Sequence, residues 1–263
     1  MSTQYNAIRA PYDEVRKGSI SIIERENVRD AVSPYIKGAK VLELACGSGF
    51  YTTELVKFGA SKVFAVDISS VMLEEARRVV DGAGIGGKVA LLEADCGQPQ
   101  AYAGGPFQLV VGGWILNYAA NAEDLTETFR NIALNLEDGG VFVGVTPPPS
   151  NDPAAFYETE IGARPGPRGS GLLVSHATGT LEDGVRVHRH ADTPVGVVDF
   201  DTYHLRRDVY ENAAREAGLR GKFEWNPTRL PDGFLENPVG GASREELETY
   251  KTVPHYGVLV VAK

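Results

Sequence analysis

Cysteine is scarce in this chain: two residues in 263, at positions 46 and 96. Their spacing matches neither a disulfide framework nor a thiolate metal site, so a reducing, cytoplasmic setting is expected. Long apolar runs are missing as well. None approaches the roughly 18 residues of a membrane span, and the polar N-terminus has no signal-peptide core. Basic residues are outnumbered, 26 Lys and Arg against 35 Asp and Glu, for a net charge of −9. That balance argues against a nucleic-acid substrate and against anionic membranes. No repeat or low-complexity tract appears. What remains is an ordinary globular composition, 43% hydrophobic and 23% charged, sized for one α/β domain over residues 1–263. Its expected partner is a small molecule.

The most informative stretch is Val-Leu-Glu-Leu-Ala-Cys-Gly-Ser-Gly-Phe-Tyr, residues 41–51. An apolar run carrying one acid, Glu43, enters a turn at Gly47 and Gly49 and then a helix-like segment. A strand feeding a glycine turn and a helix is where an α/β sheet binds a nucleotide-like ligand. The dinucleotide fingerprint needs a third glycine three residues on, and Thr52 stands there. That departure disfavours a nicotinamide oxidoreductase. Two further strand ends repeat the pattern: Lys62-Val-Phe-Ala-Val-Asp67 and Val89-Ala-Leu-Leu-Glu-Ala-Asp95-Cys96. Asp67 lies 18 residues past Gly49, where an acid accepts hydrogen bonds from ribose hydroxyls.

These three tips resemble motif I and the following motifs of the class I S-adenosylmethionine methyltransferases. The resemblance is firm over about residues 38–147 and implies a doubly wound seven-stranded sheet of order 3-2-1-4-5-7-6, its last strand antiparallel. It implies S-adenosyl-L-methionine as cofactor, S-adenosyl-L-homocysteine as product, and no metal. Glu43 would reach the ammonium side of the cofactor, with Ala45, Gly47 and Gly49 as the backbone turn. Asp67 and Ile68 would meet the ribose, Asp95 the adenine amino group, and the Cys96 backbone the ring nitrogen. Met72 would lie against the adenine; a core methionine reads equally well. After the fourth strand, Phe107-Gln-Leu-Val-Val-Gly112, Gly113 lets the backbone approach the reacting methyl and Trp114 supplies an aromatic wall for the sulfonium. Asn117 and Tyr118 face cofactor or substrate, or pack in the core.

Around this centre, residues 1–37 read as a helical cap with an amphipathic segment near 20–36. Tyr12, before Asp13, resembles the family's tyrosine over the methionine end of the cofactor. Helices are expected near 69–80 with Ser69 as N-cap, near 122–136, and near 202–217 ending at Gly218. The fifth strand, 140–145, stops at Thr146-Pro-Pro-Pro149. Residues 150–200 are too long for an ordinary connection and read as an inserted antiparallel cap over the site. A short helix at 153–161, a loop at 164–171 and strands near 172–176, 185–190 and 195–200 are expected within it. The last two strands of the main sheet fall near 221–226 and 256–262.

Methyl transfer needs alignment and desolvation, and a base only where the acceptor must lose a proton. Tyr12, Tyr118, His176 and His204 are the candidate catalytic groups; Trp114, Asn117, Tyr118 and His176 are the candidate substrate contacts. His188 and His190 alternate on one strand face, but the sequence offers no third metal ligand beside them. Within the family, the start Tyr5-Asn-Ala-Ile, the pair Asn117-Tyr118 and the approach from Tyr203 to Glu211 resemble toxoflavin N-methyltransferase and its relatives, which implies methylation of a ring nitrogen in an azaheterocycle. O-methylation of a secondary metabolite, or a cofactor-binding regulator or scaffold without transfer, stays open, as does monomer against homodimer. The Asn/Asp-Pro-Pro-Tyr/Phe signature of nucleic-acid amine methylation is absent after the fourth strand.

Overall fold

The computed structural model describes residues 13–161 and 174–263, and the side chains of residues 159–161 are not characterised. Tyr12 and the 164–171 loop lie outside the described residues. Seven strands form the main sheet: β1 (Lys40–Leu44), β2 (Lys62–Asp67), β3 (Val89–Glu93), β4 (Phe107–Gly113), β5 (Leu136–Thr146), β9 (Glu224–Pro227) and β10 (Gly257–Ala262). Their order is β3-β2-β1-β4-β5-β10-β9. The first five are mutually parallel and β10 runs antiparallel to both neighbours. This is the expected 3-2-1-4-5-7-6 order.

The near-continuous apolar runs of the central strands follow from burial on both faces. Alternate residues feed two cores: Val41, Leu109, Val111 and Val143 on one side, Leu42, Val110 and Phe142 on the other. Helices α1 (Ser19–Val32), α2 (Phe50–Phe58) and α3 (Ser70–Gly82) cover the first face through Val28, Leu55 and Leu73. Helices α4 (Ala122–Asn135) and α5 (Arg207–Glu216) cover the second through Phe129, Ile132 and Tyr210. The helix α6 (Arg244–Thr249) closes a small cluster with Ile23 of α1. Ser69 caps α3, its hydroxyl accepting from the Met72 N–H at 3.2 Å. No helix among the described residues is long and apolar enough to cross a membrane.

A second, antiparallel sheet of β6 (Val174–Thr180), β7 (Gly184–Thr193) and β8 (Gly196–Leu205) is inserted between β5 and α5. Here the chain departs from sequence expectation. Residues 202–205 continue β8, because Val198, Phe200, Thr202 and His204 keep a two-residue burial rhythm; α5 begins only at Arg207. The expected 153–161 helix is a three-residue turn, Pro153–Ala155, followed by a π-turn, Phe156–Ile161. Strand β5 starts at Leu136, directly after α4.

Gly49, the N-cap of α2, has φ +88°, and a Cβ there would stand 3.2 Å from the Ala76 Cα of α3. Gly49→Ala therefore strains both the turn and the α2–α3 contact. It should lower stability by about 1–3 kcal/mol, read as an earlier denaturant midpoint at unchanged slope. An unchanged midpoint would show that the turn relaxes freely.

Candidate cofactor and substrate site

The three strand tips are laced to one another by Asp67. Its Oδ2 accepts from the Gly47 N–H at 2.8 Å and its Oδ1 from the Ser69 N–H at 2.9 Å. The Ala94 N–H donates to the Asp67 carbonyl at 3.0 Å, and the Cys46 N–H to the Val66 carbonyl at 3.0 Å. Ala45 takes φ 56° to make the turn, a conformation uncommon for a residue with a Cβ. Behind it Glu43, 2% exposed, accepts from the Thr52 hydroxyl at 2.6 Å. Asp95 accepts from the Gly97 N–H at 2.9 Å, closing a local turn. The Cys96 carbonyl accepts from Asn131 Nδ2 at 2.9 Å, and Met72 is buried in the first turn of α3. The structure thus gathers Glu43, Ala45, Gly47, Gly49, Asp67, Ile68, Asp95 and Cys96 at one end of the sheet.

Burial controls the charge here. It pushes the Glu43 carboxyl up to about 8, against stabilisation by Thr52 and reinforced by nearby Asp67. The Asp67 carboxyl is also raised by burial, partly offset by the N–H groups of Ser69, Gly47 and Ile68. Burial pushes the Cys96 thiol up to about 12 and the Cys46 thiol well above its ordinary range, so neither is an activated nucleophile.

At the β4 tip, Trp114 has φ 71°, a strained conformation for a bulky residue. Two bonds hold it: its N–H donates to the Val145 carbonyl at 3.2 Å, and its indole Nε1 to Glu24 Oε2 at 3.0 Å. Glu24, 3% exposed on α1, also accepts from the Tyr51 hydroxyl at 2.6 Å and pairs with Arg16 at 2.9 Å through Oε1. A Cβ on Gly113 would come within 2.9 Å of the Tyr51 ring, so the glycine makes room for that ring. Glu24 and Tyr51 escaped the sequence reading. The signal was available for Glu24, an acid on the same helical stripe as Ile20 and Val28.

The inserted sheet presents its inner face to the same region. Arg189 donates from Nε to the Thr202 hydroxyl at 3.2 Å and from Nη1 to the Ser175 hydroxyl at 2.5 Å. His204, fully buried on β8, donates from Nε2 to the Pro148 carbonyl at 2.8 Å, which leaves Nδ1 an acceptor without a partner among the described residues. Burial drives its pKa down to about 3, so the ring is neutral. Asn117, 2% exposed, likewise has an unpartnered Oδ1. Tyr118 is half-buried, and desolvation holds its phenol above the ordinary range. His176 is exposed on β6, directly opposite His188, and so is separated from His204 and Asn117 by the sheet.

Residues 41–140 match the family described as a methyltransferase domain. A solved S-adenosylmethionine-dependent methyltransferase from Mesorhizobium loti superposes with TM-score 0.59 at 20% identity, over 90% of this chain and 96% of that one. The sugar N-methyltransferase KedS8 from Streptoalloteichus sp. ATCC 53650 does so with TM-score 0.55 at 23% identity, over 91% and 86%. An uncharacterized protein of Haemophilus influenzae is 27% identical over 124 residues, 46% of this chain and 48% of that one. The chain spans half or less of the length of the curated relatives it matches.

Residues 41–140 thus match a methyltransferase domain, and the sheet order is that of the class I methyltransferase fold. The residues at the strand tips fit S-adenosyl-L-methionine, the cofactor that such a domain implies. Two buried acids, Glu43 and Asp67, form no ion pair with any Lys or Arg among the described residues, which suits a ligand bearing a sulfonium and an ammonium.

A carboxyl raised from its ordinary 4.5 to about 8 stabilises the fold fully below pH 4.5, and that contribution is lost as pH rises through 8. In ligand-free protein, Glu43→Gln should therefore gain melting temperature relative to the parent across that window. A difference that stays flat with pH would mean Glu43 is ionised throughout. Separately, Glu24→Ala leaves Arg16 and two donors without their buried acceptor, at a cost of roughly 3–5 kcal/mol. It should also shift the fluorescence of Trp114; an unchanged spectrum and midpoint would remove Glu24 as its anchor.

Proposed function

We propose that the protein transfers a methyl group from S-adenosyl-L-methionine to a small-molecule acceptor held between the β4 tip and the inserted sheet. The observation that carries this reading is the pair of buried acids at neighbouring strand tips, Glu43 and Asp67, neither of which forms an ion pair with a Lys or Arg among the described residues. Asp67 receives the ribose hydroxyls on the lone pairs that Gly47 and Ser69 leave open. Glu43 balances the ammonium end, with Ala45, Gly47 and Gly49 as the close backbone. Asp95 and the Cys96 N–H read the adenine edge, Met72 lies against it, Ile68 meets the ribose beside Asp67, and Gly113 and Trp114 face the sulfur. Tyr12 completes the methionine end on the strength of its sequence resemblance.

When bound, the cofactor would supply an electrophilic methyl for an acceptor lone pair to attack, with the thioether sulfur leaving on the S–C bonding pair. The chain's own residues align the acceptor and exclude water. None of the described candidates is poised as a base near neutral pH. The buried Tyr118 phenol stays protonated, the His204 imidazole is a weak base, and His176 stands on the exposed face. Asn117 Oδ1 and His204 Nδ1 remain as buried acceptors that orient an N–H or O–H of the acceptor molecule. We place the transferred methyl on a ring nitrogen of a small azaheterocycle of the toxoflavin kind, because such a nitrogen brings its own lone pair and needs no base. The two buried free thiols support a cytoplasmic setting.

Asp67→Ala and Asp67→Asn remove the charged acceptor of two ribose hydroxyls. At about 1.5–3 kcal/mol per charge-assisted bond, S-adenosylhomocysteine affinity in calorimetry should fall a hundredfold or more. Undiminished binding by folded Asp67→Asn would contradict the ribose role. Cofactor binding without S-adenosylhomocysteine release across azaheterocyclic and hydroxylated acceptors would contradict transfer.

A further inference from the structure

The outer face of the inserted sheet carries a cluster unrelated to the strand tips. Alternation along β7 turns Val185, Val187 and Ala191 inward and leaves His188 and His190 outward. Register then sets Asp201 opposite His188 and Asp199 opposite His190. His188 Nε2 lies 3.2 Å and His190 Nδ1 2.8 Å from the same oxygen, Asp199 Oδ1. The ligating atoms of these three residues all fall within 4.8 Å of one another. The third ligand that local spacing could not supply comes from strand pairing.

We propose that His188, His190 and Asp199 form a binding site for zinc or a similar late first-row divalent cation. The donor set, two imidazole nitrogens and one carboxylate oxygen, is the open three-ligand arrangement that zinc accepts. Bonds of about 2.0–2.1 Å place tetrahedral ligand atoms roughly 3.3 Å apart, close to the 3.2 Å and 2.8 Å that separate the two imidazole nitrogens from Asp199 Oδ1. The nitrogen of each ring turned away from the centre faces a carboxylate of its own. His188 Nδ1 stands 3.1 Å from Asp201 Oδ1, and His190 Nε2 stands 3.5 Å from Asp192 Oδ2. Such backing carboxylates fix the tautomer and raise the basicity of metal-ligating histidines. Arg186 holds Asp201 in place at 2.5 Å. A cation here ties β7 to β8 on the face away from Thr202 and His204, which makes it a brace for the insertion and no party to methyl transfer.

The full chain, stripped with chelator, should bind one zinc ion in calorimetry. Cobalt should give the visible bands of a tetrahedral site. His188→Ala/His190→Ala, two changes on the outer face of the sheet, should lower zinc affinity at least a hundredfold and abolish the cobalt bands while the circular dichroism stays that of the parent. Asp201→Asn should weaken zinc about 10–100-fold at unchanged stoichiometry. No zinc binding by the parent chain, or binding that survives the double change, would overturn the site.

Discussion

One carboxylate holds the functional end of the sheet together. Asp67 ends β2, yet its oxygens bond backbone groups of the turn after β1 and of the cap of α3. Two glycines and an alanine in left-handed conformations sit in or beside that turn; the glycines adopt them without steric cost, the alanine against its preference. The acid draws these donors into one concave surface, and the raised pKa values of Asp67 and Glu43 measure what it costs to keep negative charge there without a cation. A cationic nucleoside would relieve that penalty, so binding energy and site geometry come from the same groups.

A second device sets the opposite wall. Glu24 reaches from α1 to pin Tyr51 and Trp114 together, and Trp114 keeps a strained backbone at the point where β4 ends. Strain of this kind persists only where surrounding bonds over-determine it. Strand β8 of the inserted sheet packs on the Leu116–Tyr118 turn, and each element carries a buried acceptor without a partner among the described residues, His204 Nδ1 on the strand and Asn117 Oδ1 on the turn. Such groups are costly in a finished core and useful in a site that a polar molecule completes.

How much of this is legible in the sequence depends on the range of the interaction. Strand tips and the Ser69 cap are local: an apolar run, an acid and a glycine turn within a dozen residues specify them. The sheet order follows from the family resemblance those tips carry. Glu24 is legible only as an anomaly, because its partners lie 27 and 90 residues away. The start of α5 is misread because Thr202 and His204 look polar, although strand alternation buries both. His188 and His190 gain Asp199 through cross-strand register, which spacing along one strand does not reveal.

Acids at consecutive strand tips should grasp S-adenosylmethionine with its sulfur turned toward Trp114 and the inserted sheet. A crystal structure with S-adenosylhomocysteine tests it most directly. Ribose hydroxyls should lie on Asp67 and adenine beside Asp95 and Met72, with open space beyond the sulfur bounded by Asn117, Tyr118 and His204. A ligand seated elsewhere, or one that leaves Asp67 bonded to Gly47 and Ser69 alone, would contradict it.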